Sequence, residues 1–248
     1  MIRFKFADVQ QELIAIRSLS KDYIEDASQH FVLRQFETLL VDIQKRGGKG
    51  CWEIREKHPL VTRRSVGEYE PGGKKGLHVF ATISCIWEIT CVGGAPKKVP
   101  ATHFEITGKA STKVRIWRAL KDGATTPIAM WRMEIGDRAA PGCHFHVQVL
   151  GETDDGQFPK SLPVPRLPGL PATPLLVIEY VLAELFQDEW RQTTGKKSDE
   201  LTMWRGIQSE RFQRFFGWQQ DAVKGLKSGS PWTALKLLKP DVDMFGGS

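Results

Sequence analysis

Residues 142–149 read Gly-Cys-His-Phe-His-Val-Gln-Val. Two imidazoles one residue apart are the groups in this chain whose spacing speaks most directly of chemistry. In an extended segment, successive side chains point to opposite faces. His144, His146 and Gln148 then share one face, and Cys143, Phe145, Val147 and Val149 share the other. The apolar set belongs to the core, so the histidines face out of it, within reach of one ion or one phosphate. Imidazoles placed in this way can hold a divalent transition metal. They can equally transfer a proton or bind phosphate without a metal. The plain alternative is a solvated polar sheet face.

The same alternation adds company. His103, Glu105 and Thr107 share a face, with Phe104 and Ile106 opposite, and Arg132 and Glu134 lie opposite Trp131, Met133 and Ile135. His78, Thr82, Ser84 and Glu88 fall opposite the apolar face of their own segment. If these strands pair in register, one sheet face carries imidazoles, carboxylates and an arginine. The candidate catalytic residues are therefore His144, His146, His103 and Glu105, with His144 and His146 as the metal pair. Gln148 and Arg132 are candidate ligand contacts.

Basic residues gather where turns are expected: Arg63 and Arg64, Lys97 and Lys98, Lys74 and Lys75, and Lys45, Arg46 and Lys49. Arg63, Arg64, Lys97 and Lys98 are the phosphate-binding candidates. Arg205, Arg211 and Arg214 share a C-terminal helical segment with Trp218, which offers a ring for base stacking. The formal charge of +6 favours an acidic partner, nucleic acid or nucleotide. Charged turns also serve solubility alone.

Several chemistries lack their residues. There is no Gly-x-Ser-x-Gly elbow and no Gly-x-Gly-x-x-Gly, and Gly47–Gly50 reads as a turn rather than a phosphate loop. Cysteines 51, 85, 91 and 143 form no Cys-x-x-Cys pair. The opening residues alternate charged with apolar, unlike a secretory leader, and no apolar run reaches the roughly 18 residues of a membrane span. The chain reads as reduced, soluble and cytoplasmic, with no membrane partner.

The elements that must position these groups follow from periodicity. Residues 7–46 read as two helices, the first capped by Asp8 and the second ended by Gly47 and Gly48. From 51 to 150 the period is two. A long strand spans 77–91, a turn occupies 71–76, and further strands lie near 102–107, 111–119, 127–135 and 143–150. Prolines 159, 163, 165, 168, 171 and 174 mark an extended crossing over 151–174. Thr173-Pro174 starts a helix that is apolar nearly all round over 175–190. Ser198 caps another helix, and Ser230-Pro231 starts a short last one.

The fold class is α+β in one domain over 1–248. Helices occupy 1–50, an antiparallel meander of about five to seven strands fills 51–150, and C-terminal helices over 175–248 pack on one sheet face. Two function classes follow. One is an enzyme acting on nucleic acid or a nucleotide, a phosphodiester hydrolase with or without a metal. The other is a non-catalytic binding or adaptor module that recognises nucleic acid or a protein partner through basic and aromatic surfaces.

Overall fold

The computed structural model describes residues 2–65, 78–94, 99–136, 142–150 and 166–246. The turn expected at 71–76, Lys97, Lys98 and most of the proline crossing lie outside the described residues.

Among the described residues, eight strands form one antiparallel sheet. They are β1 (Arg3–Lys5), β2 (Lys49–Ile54), β3 (Leu60–Val61), β4 (Val79–Val92), β5 (His103–Ala119), β6 (Thr125–Ile135), β7 (Phe145–Val149) and β8 (Arg166–Pro168). The main order is β2-β4-β5-β6-β7-β8, with β1 on β5 and β3 on β4. Helices α1 (Phe6–Leu19) and α2 (Leu33–Arg46) precede β2, and a π-helical turn at Ser28–Val32 leads into α2. Helices α3 (Pro174–Gly195), α4 (Asp199–Lys224) and α5 (Pro231–Leu237) follow the sheet. The architecture is α+β, and none of the described helices is long and apolar enough to cross a membrane.

Local chemistry explains most boundaries. The side chains of Thr173, Ser198 and Ser230 accept from the backbone N–H of Leu176, Leu201 and Thr233, so each C-terminal helix is capped. Gly47, at φ 70°, ends α2 in a conformation that a side chain resists. The first helix departs from expectation. It starts at Phe6, directly out of β1, and Asp8 sits inside its first turn rather than capping it.

The strand expected to break near 108 does not. β5 runs unbroken for 17 residues. Gly108 lies inside it, where the pairing with β4 slips between Trp87 and Ile89. A Cβ on Gly108 would sit 1.9 Å from Oε2 of Glu88, and Glu88 accepts from the Lys109 N–H at 3.1 Å. The glycine that reads as a turn is a bulge that lets a carboxylate press against the backbone.

The core lies on the helical side of the sheet. Val79, Ala81, Ile83, Cys85, Trp87 and Ile89 of β4 are all buried, as alternation requires. Phe36 of α2 stacks on Trp52 at 4.2 Å, and the Trp52 indole donates to the Phe36 carbonyl at 2.9 Å. Leu175, Ile178 and Leu182 of α3 belong to the same buried cluster as Trp87, Ile89 and Phe145. Each such side chain stabilises the fold by about 2 kcal/mol.

Two features join the early chain to the late chain. Phe4 stacks on Phe104 and on Phe245, and the Arg3 N–H donates to the Val242 carbonyl at 2.8 Å. Between α1 and α4, Arg211 donates from Nη1 to both oxygens of Glu12 at 2.8 and 3.0 Å, with both side chains buried. Burial pushes the Glu12 carboxyl up and Arg211 pulls it back. Nearby, Gln208 donates to Glu179 at 2.7 Å, and burial pushes that carboxyl up to about 7.

Candidate ligand groove on the polar sheet face

Antiparallel register places directly paired residues on the same face. Reading across the strands, Ser84, Lys113, Arg132 and Gln148 form one row, and Ile86, Ser111, Glu134 and His146 form the next. Thr82, Arg115 and Met130 make a third row, and Phe80 with Trp117 a fourth. This is the face opposite the helices.

Side-chain contacts tie the rows together. The Trp117 indole donates to Thr82 Oγ1 at 2.9 Å, and the Arg115 guanidinium lies 5.2 Å from the Trp117 ring centre. Phe80 stacks parallel to Trp117 at 6.3 Å. Arg132 donates to Gln148 Oε1 at 3.2 Å and lies 3.6 Å from Glu134.

A groove of about 560 Å³ opens along this face. Among its described lining residues are Arg55, Lys109, Lys113, Arg115 and Arg132, with only Glu53 and Glu56 as carboxylates. Arg55 pairs with Glu53 at 2.7 Å and Lys113 with Glu56 at 3.1 Å, both at exposed rims where ion pairs exchange easily with a ligand. Lys109 forms no ion pair among the described residues. Ser84 and Ser111 supply hydroxyls on the groove floor.

His146 occupies the polar face, opposite Phe145, as its alternation requires. The expectation that it and His144 look into solvent is corrected. His144, His146 and Gln148 are only 3, 4 and 6 % exposed. Nδ1 of His146 lies 3.0 Å from the Cys143 carbonyl and Nε2 lies 3.1 Å from Glu134 Oε2. A carbonyl and a carboxylate only accept. Both ring nitrogens are therefore engaged with acceptor groups inside the fold. The bond from His146 holds the Glu134 carboxyl below the usual carboxylate range against the opposing effect of burial, with help from Arg132 and Ser111. His144 is edge-on to the Phe145 ring at 5.0 Å.

The other candidates scatter. His103 and Glu105 lie at the far end of β5, eight and six residues from Ser111, or roughly 26 and 20 Å at about 3.3 Å per residue. Glu105 accepts from Arg3 Nε at 3.0 Å, and His103 contacts Thr102 and the Gly246 carbonyl. They do not support the histidine pair. Among the described residues, no three His, Cys, Asp or Glu side chains gather as a metal site requires. Arg63 pairs with Asp26 at 2.8 Å, and Arg64 is exposed, away from the groove lining. Lys97 and Lys98 lie outside the described residues. On α4, Arg211 is committed to Glu12, Arg214 to Glu210 and Arg205 to the carbonyls of Thr194 and Lys196. Trp218 packs on Phe145 and Phe215 instead of offering a free ring.

The groove residues Ser111, Lys113, Arg115 and Trp117 were within reach of sequence reasoning. They stand at every second position along 111–117, with Thr112, Val114 and Ile116 between them. The chain matches no family model, no curated protein and no solved structure.

Proposed function

We propose that this chain binds a phosphate-bearing ligand, nucleotide or nucleic acid, in the groove on the polar face of its sheet. The reading rests on one observation: register stacks Lys113, Arg115 and Arg132 in adjacent rows, with Arg55 and Lys109 at the rim, and the described groove lining sets only Glu53 and Glu56 against them, Glu134 lying in the row beside Arg132. Serine hydroxyls between the cations suit phosphate oxygens. The Phe80–Trp117 pair at the end of the same face suits a base. Binding is favoured over hydrolysis because the histidine nearest the groove has both ring nitrogens engaged.

The test is fluorescence anisotropy at low salt, with a labelled single-stranded oligonucleotide and, separately, a labelled nucleotide. The combined variant Arg55→Ala, Lys109→Ala, Lys113→Ala changes exposed or half-buried side chains and keeps the fold. Its oligonucleotide affinity falls, and the slope of log affinity against log salt drops by about 2, at about 0.7 per lost phosphate contact. Absence of binding for both ligands at low salt overturns the reading.

A further inference from the structure

We infer that the occupant is a single-stranded nucleic acid that leaves the sheet face over the edge of β2 and continues into a second hollow beside the π-helical turn. This inference rests on the groove reading above and narrows its ligand. Strand β2 is the last strand of the main sheet path, and Glu53, Ile54 and Arg55 at its end line both the groove and a hollow of about 700 Å³ on the other side. The two spaces are therefore neighbours, sharing these three residues as a common wall. Each alone has the size of a complete small-ligand site, about 300–1,000 Å³. A mononucleotide would fill one and leave the other unused, whereas a chain of nucleotides fills both.

The chemistry repeats across the edge. The second hollow carries Arg34, His30 and His58 beside the shared Arg55, and Phe31 stands in it 67 % exposed. Phe31 sits on the π-helical turn Ser28–Val32, a rare geometry that is frequent at functional sites. The path thus runs from an aromatic pair at one end, over cations, to an exposed aromatic at the other. Bases stack on such rings whatever their sequence, and cations follow the backbone.

The shape selects single strands. From Arg132 on β6 to β2 is three strand spacings, roughly 14 Å, and the path then turns around the sheet edge. Duplex DNA, with a persistence length of about 50 nm, resists such a bend. The covered length corresponds to roughly four to eight nucleotides, at the small end of single-strand sites.

The experiment measures binding of labelled oligothymidylates, a trinucleotide and a strand of about 12 nucleotides, to the full chain and to Phe31→Ala and Arg34→Ala. Both side chains are exposed, so both variants fold, as unchanged melting confirms. The longer strand binds roughly 30-fold tighter than the trinucleotide, and Phe31→Ala weakens it roughly 10-fold while leaving the trinucleotide unchanged. Equal affinity for both lengths, no effect of either variant on the longer strand, or duplex bound as tightly as single strand overturns the inference and leaves the groove standing. No binding of either strand overturns the inference, and the groove reading falls with it only if the labelled nucleotide also fails to bind.

Discussion

At the scale of single residues, the ring of His146 is held from both sides, by the Cys143 carbonyl and by Glu134. That geometry gives the ring a structural place between two acceptors. His146→Ala leaves Glu134 partly shielded without its main partner, so it costs about 2–3 kcal/mol, or roughly 5–10 °C of Tm in a chain of this length. Calorimetry across pH checks the origin. Because the Glu134 carboxyl is held below its ordinary value of 4.5, its contribution is full above that value and fades as pH falls through the lowered one. The gap between wild type and variant therefore narrows in acid. Oligonucleotide affinity changes little. Alternation gave the correct face for His146 and Gln148, because period-two patterning is a local property of the strand, whereas His144 precedes the strand. It could not give their burial, which depends on what the rest of the chain lays against that face. Nor could it show that His103 and Glu105 sit far along another strand, since register is set between strands.

At the scale of elements, the sequence was most legible where one residue forces one conformation. The caps at Thr173, Ser198 and Ser230, the stop at Gly47 and the buried face of β4 all follow from side-chain chemistry that needs no tertiary partner. Gly108 was misread for the converse reason. Its meaning resides in Glu88 on the neighbouring strand, which no pattern within residues 103–119 discloses. Gly108→Val tests the bulge. The added atoms meet the end of the flexible Glu88 side chain, which swings aside and gives up its bond from the Lys109 N–H, so the variant loses about 1 kcal/mol by urea melting. In the Glu88→Ala background that bond is already absent, and the same substitution costs less. A loss equally large in both backgrounds would place the strain elsewhere than at Glu88. β1 went unseen because three residues are too few to show a period.

At the scale of the whole molecule, Glu12 and Arg211 join helices separated by 199 positions in sequence. Arg211→Met leaves a buried carboxylate without its partner and costs about 3–5 kcal/mol. Glu12→Leu with Arg211→Met replaces both charges by apolar groups of similar reach, and its stability returns to within about 1 kcal/mol of wild type. Denaturant melts of the two variants check this. A double variant as unstable as the single one would mean that the pair contributes more than charge balance.

The stack of Phe4 between Phe104 and Phe245 also sets a clock for synthesis. A ribosome delivers about 5–20 residues per second, so the partner at position 245 arrives roughly 12–50 s after Phe4 leaves the peptidyl centre. Over that interval β1 can settle on β5 only with one side of its aromatic ring bare, and the newborn protein presents an adhesive spot that the finished one has closed. Chaperone engagement during translation should therefore outlast formation of the sheet itself and end once Phe245 reaches Phe4.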